Sequence, residues 1–170
     1  MMLSAQGHRR PFRWVAASLL TCAAVSCALL SPGDDGRGPS ISDPRACSGS
    51  NLELREATRH FQLAIPAQAN DLRFASDTHP VSGEHSLTLE FTTTPAGLQA
   101  FLNSSHLPQP EPDDDAQPID QYAGCGLTDG DFTRPTYADD ERQSSGYVRR
   151  VALDRADPAR PHVIIEATDT

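Results

Sequence analysis

Apolar residues are distributed along this chain in three distinct ways. Between Trp14 and Leu30 they run together without a charge, in two later regions they alternate with polar residues, and around Leu98 they recur at helical spacing. Alternation marks half-buried strands, because successive side chains of a strand point to opposite faces. FQLAI, residues 61–65, places Phe61, Leu63 and Ile65 on one face and stops at Pro66, which predicts a strand. DLRFASDT (71–78) and HSLTLEFTT (85–93) alternate in the same way around Leu72 and Phe74, then Leu87, Leu89 and Phe91. The intervening HPVSGE has turn chemistry, so the pair reads as a hairpin. GYVRRVALD and PHVIIEATD set Tyr147, Val151 and Leu153 against Val163 and Ile165 across DRADPARP, which predicts a second hairpin.

Two short helices complete the pattern. SNLE, Ser50 to Glu53, matches a capping box and opens a helix running to about Thr58. In TPAGLQAFLNSS, Thr94 can cap, Pro95 suits the first helical position, and Leu98, Phe101 and Leu102 share one face. The expected fold class is therefore α+β: a small antiparallel sheet of two hairpins with one or two short helices, preceded by one N-terminal transmembrane or signal helix.

The uncharged run changes the picture from a plain domain to an exported one. Arg9, Arg10 and Arg13 precede it, and this asymmetry keeps residues 1–13 in the cytoplasm as a basic n-region and directs the chain beyond Leu30 outward. Three fates share that signal. Residues 14–30, with Pro11 starting the helix and Arg13 snorkelling, come close to the roughly 20 residues of a spanning anchor. AVSC, residues 24–27, resembles a bacterial lipobox and would be lipidated at Cys27, although Ala24 stands where leucine is usual. Ala24-Val25-Ser26 also suits cleavage of a signal peptide. Residues 31–46, dense in Ser, Pro, Gly and Asp, read as a flexible linker. An extracytoplasmic domain then occupies 47–170.

Charge narrows the partners. All 14 basic residues are arginine, three of them in the n-region, so the chain beyond Leu30 sets 11 arginines against 23 acids, a net of −12. Such a domain repels phosphates, which excludes nucleic acid as a partner. The lysine-free composition, rich in Ala, Pro and Asp, fits a GC-rich bacterial genome. Cys47 and Cys125 are the only cysteines beyond the apolar run, and an even pair in an oxidising compartment is expected to form a disulfide.

Candidate chemistry is sparse. A proline-rich acidic stretch, 107–145, holds EPDDD (111–115), Asp120, TDGD (128–131) and ADDE (138–141) and reads as a solvated loop. Calcium is its functional alternative, but adjacent acids in DDD break the alternate spacing of an EF-hand. His79, Glu84 and His85 bracket the first turn and could meet a metal; without HExxH spacing they read as exposed hairpin residues. His85 and Ser86, neighbours on a strand, point apart and make no nucleophile pair. Arg149 shares a face with Tyr147 and Val151, so it needs a partner. Glu166 or Glu90 across the sheet is the simple solution, and grip on a carboxylate or phosphate ligand the sharper one.

The arginine-led N-terminus, the tether and the cysteine pair, with ELREAT (53–58), IPAQANDLRF (65–74) and FTTTPAGLQAFL (91–102), resemble small uncharacterised membrane-anchored or lipoprotein-like exported proteins of actinomycete-type bacteria. That resemblance implies location and fold, with no catalytic residue and no cofactor. The expected role is a non-enzymatic, membrane-tethered module that binds an envelope component or a membrane protein. A hydrolase using the loop carboxylates and a passive spacer are the alternatives.

Overall fold

The computed structural model describes residues 41–142 and 146–170, so the apolar run 14–30 and Cys27 lie outside the described residues. No helix among the described residues is long and apolar enough to cross a membrane. The element order is α1 (Leu54–His60), β1 (Asn70–Thr78), β2 (His85–Thr92), α2 (Pro95–Ser104), a 3-10 turn (Ala123–Cys125), β3 (Pro135–Arg142), β4 (Tyr147–Asp154) and β5 (His162–Asp169). All five strands form one antiparallel sheet in the order β1-β2-β5-β4-β3. The two expected hairpins, β1-β2 and β4-β5, are joined because β2 pairs with β5, with Leu87, Leu89 and Phe91 opposite Ala167, Ile165 and Val163.

The inner face of the sheet carries the main core. Phe74, Leu89, Phe91, Val151 and Ile165 pack there against Ala57 and Phe61 of the α1 segment and Leu98, Phe101 and Leu102 of α2. Phe91 and Phe101 meet edge to face at 5.2 Å between ring centroids, a preferred aromatic geometry. Thr94 caps α2 as its sequence suggests, its hydroxyl accepting from the Gly97 N–H at 3.1 Å.

Four expectations need correction. FQLAI is not a strand: Phe61 closes α1, Gln62 sits at φ 53, and the Leu63 N–H reaches back to the Thr58 carbonyl at 2.8 Å. Phe61 and Leu63 are both buried, so the alternation reports burial on either side of a left-handed helix stop. The capping box at Ser50 does not form either. Glu53 is the N-cap of α1 without a side-chain bond, and the Ser50 hydroxyl instead accepts from the Ser76 N–H.

The third correction concerns the linker 31–46, whose last part, 41–46, belongs to the domain. Cys47 N–H donates to the Phe74 carbonyl and Phe74 N–H to that of Arg45, so this segment covers the open edge of β1. Fourth, the stretch 107–145 is not one solvated loop: Leu107 belongs to the inner core, Glu111 bridges to Tyr137, residues 119–132 pack on the outer face of the sheet, and β3 follows. Ile119 packs with Ala152 and Ile164, and Leu127 with Ala75 and Cys47. Ile119 is 1% and Leu127 0% exposed, and each buried side chain of this size contributes about 1.5–3 kcal/mol. The sheet is thus sandwiched between helices and an irregular layer.

Candidate functional site

Three side chains distant in sequence meet at one end of the inner face. His60 is the last residue of α1, His85 opens β2 and Asp169 closes β5. His60 Nε2 lies 2.6 Å from Asp169 Oδ1, and His85 Nδ1 lies 3.2 Å from Asp169 Oδ2. The His85 backbone N–H also donates to Oδ2, at 2.8 Å, which fixes the carboxylate. The two imidazoles overlap, their centroids 4.3 Å apart and their planes tilted by 30°. Burial pushes the Asp169 carboxyl up, but the hydrogen bonds from His60 and from the His85 backbone and ring outweigh it and hold it below the usual carboxylate value. The side chains are 36%, 26% and 17% exposed for His60, His85 and Asp169, so solvent reaches the cluster.

Of the hairpin trio His79, Glu84 and His85, only His85 enters this site. The Ser82 hydroxyl donates to Glu84 Oε2 at 2.9 Å and lies 3.0 Å from His79 Nδ1, so both outer residues serve the turn. Nothing in the sequence pairs His60 with Asp169, which are separated by 109 positions. Asp169 ends an alternating strand on its inward parity, and that parity is the one available signal.

Arg149 is a structural anchor. Its side chain is 0% exposed, and its guanidinium is ion-paired with Asp140, directly opposite on β3, rather than with Glu166 or Glu90. Nη1 donates to the Ser105 carbonyl at 2.9 Å and to those of Phe61 and Gln62 at 3.2 and 3.3 Å. These carbonyls lie at the C-terminal ends of both helices, where backbone acceptors lack partners and a cation is favoured. Every nitrogen of the group is engaged, which removes ligand grip as its role.

Two further acids of the former loop, Asp139 and Asp129, are likewise committed. Arg150 Nε donates to Asp139 at 2.7 Å. Asp129 is buried and accepts from the Ile119 N–H at 3.0 Å. Burial and the neighbouring Asp129 carboxylate push the Tyr137 phenol up to about 12. Glu166, on the same outer face, is pushed up by burial against the opposing pull of Arg150. Among the described residues, this acidic stretch supplies no convergent set of three metal-ligating groups.

Cys47 and Cys125 form the expected disulfide, with Cα atoms 6.0 Å apart. It pins the strap over the β1 edge to the outer layer, beside Ala75, Leu127 and Tyr122. Arg73 supports it by donating to the Cys125 carbonyl. A cleft of 660 Å³ opens between that strap and α1, lined by Asp43, Arg45, Glu53 and Arg55 among others. No family model matches this chain, no curated protein is significantly similar to it, and no solved structure matches its fold.

Proposed function

We propose that this chain is an extracytoplasmic module, held at the membrane by its N-terminal segment, that binds an envelope component or a membrane protein rather than turning over a substrate. The observation that carries this reading is the disulfide Cys47–Cys125, a bond that persists in oxidising compartments and is rare inside cells. It stands just after a chain segment with the charge asymmetry of an export signal. Retention as a span places the N-terminus in the cytoplasm; lipidation at Cys27 would leave the domain on the outer leaflet. The hydrolase alternative loses Asp139 and Asp140, each of which serves an arginine, as candidates for the two carboxylates that acid-base work needs placed together. The passive spacer is the other alternative.

The test uses full-length protein in a GC-rich Gram-positive host. Intact mass from membranes, with external protease on intact cells and crosslinking in situ, should give an anchored or diacylated chain, degradation from outside, and one reproducible crosslinked partner. Protection from external protease would overturn the location. No specific adduct would leave the spacer as the better account, and turnover in an esterase, phosphatase and glycosidase panel would overturn the non-enzymatic role.

A further inference from the structure

The geometry points to His60, His85 and Asp169 as a three-ligand site for a late first-row divalent metal, with Zn²⁺ the best match. The candidate ligand atoms, one from each residue, all lie within 4.8 Å of one another. A tetrahedral zinc with bonds of about 2.0–2.1 Å sets its ligands roughly 3.4 Å apart, so the present spacing exceeds that of a bound site by no more than about 1.4 Å. Two imidazole nitrogens and one carboxylate oxygen form a mixed donor set that suits zinc and its neighbours, whereas calcium and magnesium require oxygens.

The tautomers are compatible with ligation. With both rings neutral, His60 needs its proton on Nδ1 and His85 on Nε2, which frees His60 Nε2 and His85 Nδ1, the atoms that now face Asp169. The His85 N–H on Asp169 Oδ2 plays the part of the outer hydrogen bond that orients a ligating carboxylate. Three protein ligands leave a fourth position, and the partial exposure of His60 and His85 opens that position to water or to a ligand from a partner. The three ligands come from the end of α1, the start of β2 and the end of β5, so a bound ion would cross-link helix and sheet. The alternative is a hydrogen-bonded His-Asp-His cluster that staples α1 without a metal.

The test is zinc titration of the full-length chain in mild detergent, stripped of metal and followed by competition with a chromophoric chelator. One zinc per chain is expected, with affinity at least about tenfold weaker in His85→Ala and in Asp169→Asn and unchanged in His79→Ala and Glu84→Gln. Near-UV circular dichroism and non-reducing mobility verify that each variant is folded. Nitrogen-15 imidazole spectra give a second readout: zinc should shift the resonances of His60 and His85 and no other histidine. No binding, or binding that survives both ligand substitutions, would overturn the site, as would shifts confined to His79 or His106. Because stoichiometry in detergent does not depend on where the chain resides, failure here is separable from failure of the proposed location.

Discussion

Replacing Arg149 by Met would remove the one arginine that is fully buried among the described residues, sealed inside the helix-sheet core. The side chain is 0% exposed, and its partner Asp140 is 13% exposed. Methionine retains much of the stem, so the cost comes from the groups left behind. Asp140 keeps its charge without the guanidinium, and the carbonyls of Phe61, Gln62 and Ser105 lose their donor at two helix ends. Removing one member of a buried pair costs about 3–5 kcal/mol. Partial solvation of Asp140 lowers that figure and the orphaned carbonyls raise it, so we expect about 4 kcal/mol. Total stability of a domain this size is of order 5–15 kcal/mol, so the change should be plain in urea unfolding. Circular dichroism is the suitable probe, because the sole tryptophan, Trp14, lies in the N-terminal segment. Asp140→Asn should cost less, since Arg149 keeps its carbonyl acceptors, and the double variant should fall short of the sum by about 1–3 kcal/mol. A loss below about 1 kcal/mol for Arg149→Met, or strict additivity, would refute the anchoring role.

Three further predictions address other parts of the fold. Cys125→Ser should lower the melting temperature, because a bridge between residues 78 apart contributes up to about 4 kcal/mol by loop closure; an unchanged melting curve would show that the outer layer holds without it. Gln62→Gly should stabilise by about 0.5–1 kcal/mol, since glycine adopts φ 53 without the Cβ penalty, and a lower urea midpoint would count against strain there. Glu166 has its folded pKa raised by burial, so its contribution to stability is full below the unfolded value and is lost as pH rises through the folded one. Glu166→Gln should therefore match the wild type at pH 3 and exceed it at pH 7 in thermal unfolding, and the reverse order would reject the shift.

Legibility in the sequence differs by element. The hairpins β1-β2 and β4-β5 and the helix α2 are readable because period and turn chemistry agree there, with Thr94 and Pro95 marking the helix start. The strand β3, PTYADDER, is hidden because its inward positions are Thr136, Ala138 and Asp140. An edge strand that meets the core through an Arg-Asp pair has no apolar stripe to detect. FQLAI misleads for the opposite reason, since a helix stop with buried residues on both sides of Gln62 mimics strand alternation. The outer layer escapes because its few apolar residues, Ile119, Leu127 and Phe132, are spread irregularly among prolines and acids. Their pattern follows a surface already built by the sheet and has no period of its own. The candidate site is one-third legible: His85 draws attention from its hairpin, but only sheet order brings Asp169 beside it and only α1 delivers His60.

The end of α1 is where the anchor and the candidate metal site meet, and their dependence should run one way. Arg149 holds the carbonyls of Phe61 and Gln62, the two residues after His60, so it sets where the helix stops and hence where the His60 ring hangs. The reverse coupling is weak. The His60 side chain is 36% exposed, and an ion pair in that setting is worth no more than about 1 kcal/mol. His60→Ala should therefore cost at most about 1 kcal/mol in urea unfolding while removing a zinc ligand. Arg149→Met should do both kinds of damage, destabilising the fold and weakening zinc binding even under conditions where circular dichroism shows it folded. If Arg149→Met binds zinc as tightly as the wild type, then packing of Ala57 and Phe61 alone positions α1, and the guanidinium acts on stability without placing His60.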